Sequence, residues 1–290
     1  LEDAGFPAFV VGGAVRDHLL DRPVSDFDIA TAATPEQVIE ALRDDAKVVP
    51  TGIEHGTVTV IFGGQSLEVT TFRRDVETDG RHAEVAFSTS VTEDALRRDF
   101  TMNAVYLGPD GSVTDPTGGI ADIKARRVRF IGDAETRIRE DYLRALRYFR
   151  FFAQLGRQDA GHDADALSAI SQNLDGIPRL AVERVTSEIL KTLDCDDPAM
   201  SVAGMEKCGL LTSVLPGSTT LAFFELLQLE NAAGVSPDAI RRLVALSPDD
   251  DLRLTKKQRD RVDILRLHRS SGAALKEVAF YLGAATALDV

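Results

Sequence analysis

The run Val10-Val11-Gly12-Gly13-Ala14-Val15-Arg16-Asp17, followed by Asp26-Phe27-Asp28, decides how the chain is read. Ala8–Gly12 has the character of a strand entering a glycine turn, and Ala14–Leu20 that of a helix leaving it. A glycine pair opening toward a helix offers backbone N–H groups to an anion, and its bare backbone lets a polyphosphate approach closely. Two aspartates at i and i+2 on a strand point to one face, roughly 6.5–7 Å apart at Cα, which suits a shared divalent ion. Together these stretches describe a site for a nucleoside triphosphate and magnesium, so phosphoryl-type transfer is the first expectation.

Outward from this centre, Phe27–Ala30 reads as a short strand. Thr34-Pro35-Glu36-Gln37 reads as a helix start, with a Thr cap, Pro in the first turn and Gln three residues on. Lys47–Val49, Thr57–Phe62 and Leu67–Phe72 have strand character, with Gly63-Gly64 as a hairpin turn. In Leu67-Glu68-Val69-Thr70, alternation puts Leu67 and Val69 on the face opposite Glu68, so a neighbouring strand can bring a third acid beside the Asp pair. Residues 75–88 read as a polar loop, Val91–Arg98 as a helix and Thr101–Leu107 as a strand. Beyond about Asp122 the strand signals fade. Ala134–Gln154, Asp163–Asn173, Ala181–Leu193, Pro198–Cys208, Thr220–Leu229, Pro237–Leu246, Lys256–Leu267 and Ala274–Leu282 all carry helical spacing. The expected fold is an α/β head, a mixed β-sheet with helices, followed by an all-α remainder.

The 290 residues are 44% hydrophobic and 27% charged, a globular composition long enough for two or three modest domains. No apolar run approaches the roughly 18 residues of a membrane span, and no signal peptide stands at the start. Cys195 and Cys208 lie outside any metal spacing, so a reducing, cytoplasmic compartment is expected. The chain opens on Leu1 rather than Met, so a missing N-terminal stretch is also expected. A net charge of −13 argues against general nucleic-acid binding. Arginines nevertheless crowd one segment, from Arg126 through Arg127, Arg129, Arg137, Arg139, Arg144, Arg147 and Arg150 to Arg157. Lys256, Lys257, Arg259, Arg261, Arg266 and Arg269 form a second basic stretch. Local patches of this kind bind polyanions even when the total is acidic.

Three further motifs bear on chemistry. Arg97-Arg98-Asp99-Phe100-Thr101-Met102-Asn103-Ala104 reads equally as a helix C-terminus complemented by arginines and as an Arg on phosphate with polar groups near a ribose. Within Arg139-Glu140-Asp141-Tyr142-Leu143-Arg144, Asp141 and Arg144 are i and i+3 on a helical stretch, neighbours on one face. Such a pair can read a base edge: the carboxylate accepts the exocyclic amine of C or A while Arg donates to the adjacent ring nitrogen. G and U present the opposite pattern and leave both side chains unpaired. Arg147 and Arg150 follow at steps of three, drifting about 60° each, which suits the triphosphate or an RNA backbone. His162-Asp163 reads as a solvated loop, and Asp115-Pro116-Thr117-Gly118-Gly119 as a turn linking sheet to helices.

Taken in order, Gly12-Gly13-Ala14-Val15-Arg16-Asp17 with Asp26-Phe27-Asp28, Glu68-Val69-Thr70-Thr71-Phe72-Arg73, the Arg97–Ala104 run, Asp115–Gly119, Glu140-Asp141-Tyr142-Leu143-Arg144 and Glu183-Arg184 resemble class II CCA-adding tRNA nucleotidyltransferases over most of the first 190 residues. The resemblance implies a seahorse-shaped molecule: a nucleotidyltransferase head at 1–122, a base-selecting helical neck at 123–193 and an RNA-binding helical body and partial tail at 194–290. It implies that CTP and ATP are added to the tRNA 3′ end without a nucleic-acid template, with Mg²⁺ on Asp26 and Asp28 and Glu68 as the third catalytic acid. It assigns nucleotide binding to Gly13, Arg16, Arg98, Asp141, Arg144, Arg147 and Arg150, alongside the glycine-loop reading of Gly12. No membrane and no obligate protein partner are implied. Bacterial poly(A) polymerases share the head motifs but usually carry a longer, basic C-terminal region. CC-adding relatives lack a segment that stands here as Arg73–Ser90, with Asp75, Arg81 and His82, which favours full CCA addition over CC-only or A-only activity. A non-catalytic RNA-binding scaffold is the rival from another class, and the intact acid set argues against it.

Overall fold

The computed structural model describes residues 1–24, 26–76, 84–249 and 251–271, and the side chains of 75, 76, 84, 85 and 268–271 lie outside that description. The chain divides into two compact units, Leu1–Glu140 and Asp141–Val290.

In the first unit, β1 (Ala8–Val11) leads into α1 (Gly13–Leu19), then β2 (Asp28–Thr31), α2 (Pro35–Ala41), β3 (Lys47–Gly52), β4 (Thr57–Phe62) and β5 (Gln65–Thr71). A hairpin of β6 (Arg73–Val76) and β7 (Glu84–Phe87) follows, then α3 (Val91–Leu96), β8 (Tyr106–Leu107), β9 (Val113–Thr114), α4 (Gly119–Ala125) and α5 (Ala134–Glu140). Seven strands form one sheet in the order β3-β4-β5-β2-β1-β8-β9. β2 and β5 run parallel and the other neighbours antiparallel, so the sheet is mixed, as the sequence implies.

Alternation along the strands sorts the two faces. Val11, Ala30, Phe72 and Tyr106 pack with Ala95, from α3, on one face. Val58, Val60 and Val69 pack with Val38 of α2 and with Ile29 on the other. Thr34 caps α2 through a capping box with Gln37, as its sequence predicts. The close passage of α4 over the short 3₁₀ turn at Thr101–Asn103 requires glycine: a Cβ at Gly119 would stand 2.1 Å from the Thr101 carbonyl oxygen. Asp115 fixes this corner by accepting the N–H groups of Gly119 (2.7 Å) and Ile120 (3.0 Å).

The second unit is helical: α6 (Leu143–Leu155), α7 (Ala164–Gln172), α8 (Val182–Leu193), α9 (Ala199–Lys207), α10 (Leu210–Val214), α11 (Leu221–Ala233), α12 (Ala239–Leu246) and α13 (Lys256–Ser271). A buried acid ties α11 to α12. Glu230 accepts Arg241 Nε at 2.7 Å and Arg242 Nε at 2.8 Å. Arg242 Nη1 reaches the carbonyls of Leu193 (2.7 Å) and Cys195 (2.5 Å) past the end of α8.

Four expectations need correction. Within the expected loop 75–88, Asp75, Val76 and Glu84–Phe87 are strand instead, β6 and β7 pairing from Arg73↔Phe87 to Val76↔Glu84; runs of four residues are too short to show a period, and residues 77–83 lie outside the described residues. Thr101–Leu107 is not one strand, since Thr101–Asn103 winds into a 3₁₀ turn before β8. The stretch Ala134–Gln154 is two helices rather than one. The Asp141 carboxylate accepts the Leu143 N–H at 3.1 Å, a local bond that competes with helix continuation. His162 is no solvated loop residue either. Its ring lies 3.9 Å from the Phe152 ring, beside Tyr148 and Phe149, with Nε2 2.8 Å from the Met200 carbonyl. The expected helix at Ala274–Leu282 lies outside the described residues.

Removing the Glu230 carboxylate strands two buried guanidinium groups, so Glu230→Ala should cost about 3–5 kcal/mol in urea denaturation. His162 supplies a pH test. Burial lowers its pKa despite the Met200 bond that favours the charged ring. The unfolded imidazole takes up a proton that the folded ring refuses, so the stabilisation is complete above about pH 6.5 and is lost as pH falls below it. Denaturation at pH 7 and pH 5 should show a smaller acid loss in His162→Gln than in the unaltered protein.

Candidate active site

The site forms where β1 ends. Val11 pairs with Asp28, and the chain then leaves the sheet through Gly12 into α1. Residues before Asp28 therefore have no β1 partner, and β2 begins at Asp28. Asp26 precedes the strand instead of lying on it, a departure from the expected i and i+2 pair on one strand. Gly12 has φ 76° and ψ −131°, a region open to glycine. A Cβ there would stand 3.7 Å from Asp28 Oδ2 and 3.8 Å from Arg98 Nη1, so the bare backbone lies between an acid and a guanidinium group.

On the opposite side of β2, parallel pairing sets Asp28 directly against Glu68 of β5. Paired residues in register project to the same face, and Ile29 and Val69 go to the buried one. Asp28 reaches solvent, yet the protein around it strips away enough water to raise its pKa; Arg98 pulls the value back and Asp26 adds to the rise.

Arg98 lies just past the end of α3, next to its C-cap Arg97. Its Nε and Nη2 donate to Asp94 Oδ2 at 3.1 and 2.9 Å, and Nε also meets the Tyr106 hydroxyl at 2.9 Å. Burial alone would depress the guanidinium pKa, but Asp94 and Tyr106 hold it above its ordinary value. Arg16, on α1, is buried with Nη1 2.8 Å from Asn103 Oδ1 and with Nε and Nη2 each 3.0 Å from the Asp17 carboxylate. Asn103 in turn donates to Asp99 at 3.0 Å. The run Arg97–Ala104, which sequence left open between two readings, thus contains Arg98 and holds Arg16 through Asn103.

Among the described residues no group of three or more His, Cys, Asp or Glu is gathered closely enough to cage a metal. Asp28 and Glu68 offer oxygen donors alone, with Asp26 two residues upstream. That set fits an ion such as Mg²⁺, which keeps several waters and completes its shell with substrate phosphates.

In the second unit, Asp141 and Arg144 flank the start of α6, with the Arg144 N–H donating to the Asp141 carbonyl at 2.9 Å. The Asp141 carboxylate is gripped by Arg184 of α8, Nη2 to Oδ2 at 2.7 Å and Nη1 to Oδ1 at 3.4 Å. Arg147 lies over the Phe151 ring at 5.3 Å. Arg150 donates Nε to Glu188 at 2.5 Å and stacks on Phe151 at 4.1 Å, both partners of the ion pair being nearly buried.

The basic clusters are much less positive than their sequence suggests. Arg127 and Arg129 both serve the buried Asp122; burial pushes that carboxyl up, but Thr101, Arg129 and Arg127 outweigh it and its pKa falls. Glu135 takes Arg139 and Glu140 takes Arg137. On α13, Arg259 and Arg266 bond the carbonyls of Leu252 and Pro248, and Arg261 pairs with Asp238. Sequence reasoning did not single out Asp94, Tyr106 or Glu188. Each has a partner at least four residues away, and only Asp94–Arg98, an i,i+4 pair, left a local signal.

A family model for the poly(A) polymerase head domain matches residues 8–129, and one described as a probable RNA- and SrmB-binding site of polymerase A matches 163–221. The mitochondrial CCA tRNA nucleotidyltransferase 1 of Mus musculus is 40% identical over 240 residues, 82% of this chain and 55% of that protein. The CCA-adding enzyme of Leuconostoc citreum (strain KM20) is 48% identical over 195 residues, 67% of this chain and 47% of its own. The chain spans about half the length of these curated relatives. The crystal structure of the Bacillus stearothermophilus CCA-adding enzyme in complex with CTP matches all of this chain and 73% of that one, with a TM-score of 0.80 and 33% identity.

A side chain at Gly12 would have to adopt a strained conformation, so Gly12→Ala should destabilise the first unit by about 1–3 kcal/mol in urea denaturation.

Proposed function

The chain belongs to the family of CCA-adding enzymes, and from that premise we propose that it adds CTP and ATP to the 3′ end of tRNA. In this reading residues 1–122 are the catalytic head, 123–193 the neck that selects the base and 194–290 the region that holds RNA. What carries it is the register that sets Asp28 against Glu68 beside Gly12 and Arg98.

The terminal 3′-hydroxyl of tRNA gives up its proton to solvent water and attacks the α-phosphorus of the nucleoside triphosphate. A new O–P bond forms, the bond to the β-phosphate bridge breaks, and pyrophosphate leaves. Asp26 and Asp28, with Glu68 as the third acid, would hold Mg²⁺, which when bound lowers the cost of the hydroxyl's deprotonation and of charge on the phosphates. Gly12 and Gly13 let the triphosphate approach the backbone, and Arg16 and Arg98 offset its charge. Positioning and charge stabilisation of this kind supply most of the rate in such transfers. Asp141 accepts the exocyclic amine of C or A, and Arg144 donates to the neighbouring ring nitrogen. Arg147 and Arg150 would meet the triphosphate or the RNA backbone, and Arg150 would exchange Glu188 for phosphate to do so. Both cysteines are free and buried, which suits the cytoplasm. Among the described residues no helix is long and apolar enough to cross a membrane.

Purified protein given labelled CTP and ATP with Mg²⁺ should extend a tRNA lacking its 3′ CCA by three nucleotides and stop. Long A tracts, or binding without incorporation, would overturn the assignment. Asp28→Ala should abolish the extension. Arg144→Ala should relax base choice more than it weakens triphosphate binding, and an equal loss for all four nucleotides would remove the base-reading role.

A further inference from the structure

We propose that Asp94 and Tyr106 are positioning residues for triphosphate binding: they lock Arg98 so that its Nη1 edge faces the bare backbone of Gly12 beside Asp28. This rests on the assignment of Arg98 to the triphosphate made above and specifies what makes that arginine competent.

A guanidinium group has five N–H donors in a fixed fork, so fixing one edge aims the others. Asp94 Oδ2 takes Arg98 Nε, Arg98 Nη2 and the Tyr106 hydroxyl at 3.1, 2.9 and 2.8 Å. The Tyr106 oxygen takes Arg98 Nε in return, and its ring lies 5.3 Å beneath the guanidinium carbon. What remains is Nη1, which has a long 3.5 Å approach to the Asn103 carbonyl and lies 3.8 Å from where a Gly12 Cβ would stand. Asp94 itself is held from the other side, for its Oδ1 accepts the Arg73 N–H at the start of β6 at 3.2 Å. The carboxylate is 3% exposed and therefore poorly screened. The rotamer freedom of a long arginine is thus given up on folding, not on binding, and the cost of ordering it is absent when the triphosphate arrives.

Calorimetric titration of the whole chain with CTP and with ATP, in Mg²⁺ and without RNA, tests the proposal. Tyr106→Phe keeps the ring packing and should raise both Kd values alike, by about threefold or more. Asp94→Asn should raise them by about tenfold or more, because a charge-assisted edge is lost. In an Arg98→Ala background Asp94→Asn should add nothing, since it acts through that arginine; a purely structural defect would add its full effect. Unchanged Kd values in both single variants, or an undiminished effect of Asp94→Asn without Arg98, would overturn the positioning role. If Asp94→Asn fails to fold, Tyr106→Phe alone decides. Failure of the unaltered protein to bind either nucleotide would instead overturn the triphosphate site itself.

Discussion

The parallel pairing of β2 with β5 is the constraint on which the site depends. Everything around it in the sheet is antiparallel, and strands joined by short hairpins would leave Glu68 at a remove from the glycine turn. Because β2 and β5 run side by side in register, Asp28 meets Glu68 and Ile29 meets Val69. A slip of β5 by one residue would bury Glu68 among Val38, Val58 and Val60 and expose Val69. The apolar core therefore specifies where the carboxylates emerge. The glycine turn after Val11 completes the arrangement, since β1 stops at the rung where Asp28 begins.

A second theme is how a strongly acidic chain handles its arginines. Many of its arginines are already engaged: Arg98 by Asp94, Arg150 by Glu188, Arg127 and Arg129 by Asp122. Buried pairs of this sort add little net stability but are costly to break, so they hold long side chains in one conformation. In the proposed triphosphate site, that rigidity would be useful. It also explains why counting Lys and Arg along the sequence overstates the positive surface of the Arg126–Arg157 segment.

Much of this was legible in the residues. The strand–glycine–helix turn, the capping box at Thr34, the Gly63-Gly64 hairpin and the side of β5 that carries Glu68 follow from local periodicity and turn chemistry. Short strands such as β6 and β7 were not legible, because four residues set among polar neighbours are too few to show a period. The break at Asp141 was hidden because Ala134–Gln154 has helical spacing throughout, and a single side-chain bond to the Leu143 N–H ends the first helix. Among the site residues, Asp26, Asp28, Glu68 and the glycines announce themselves by type and spacing. Asn103, Tyr106, Glu188 and Arg184 act through partners distant in sequence or through tertiary placement, and their meaning appears once the chain is folded.

The central proposal is that Asp26 and Asp28, with Glu68 as the third acid, present a metal site to the triphosphate. Paramagnetic resonance titration of Mn²⁺ in the presence of CTP, comparing the unaltered chain with Glu68→Gln, addresses it most directly. The account predicts a CTP-dependent bound ion in the unaltered protein and at least about tenfold weaker binding once one of three hard oxygen donors is neutralised. Identical titrations for the two proteins would contradict it.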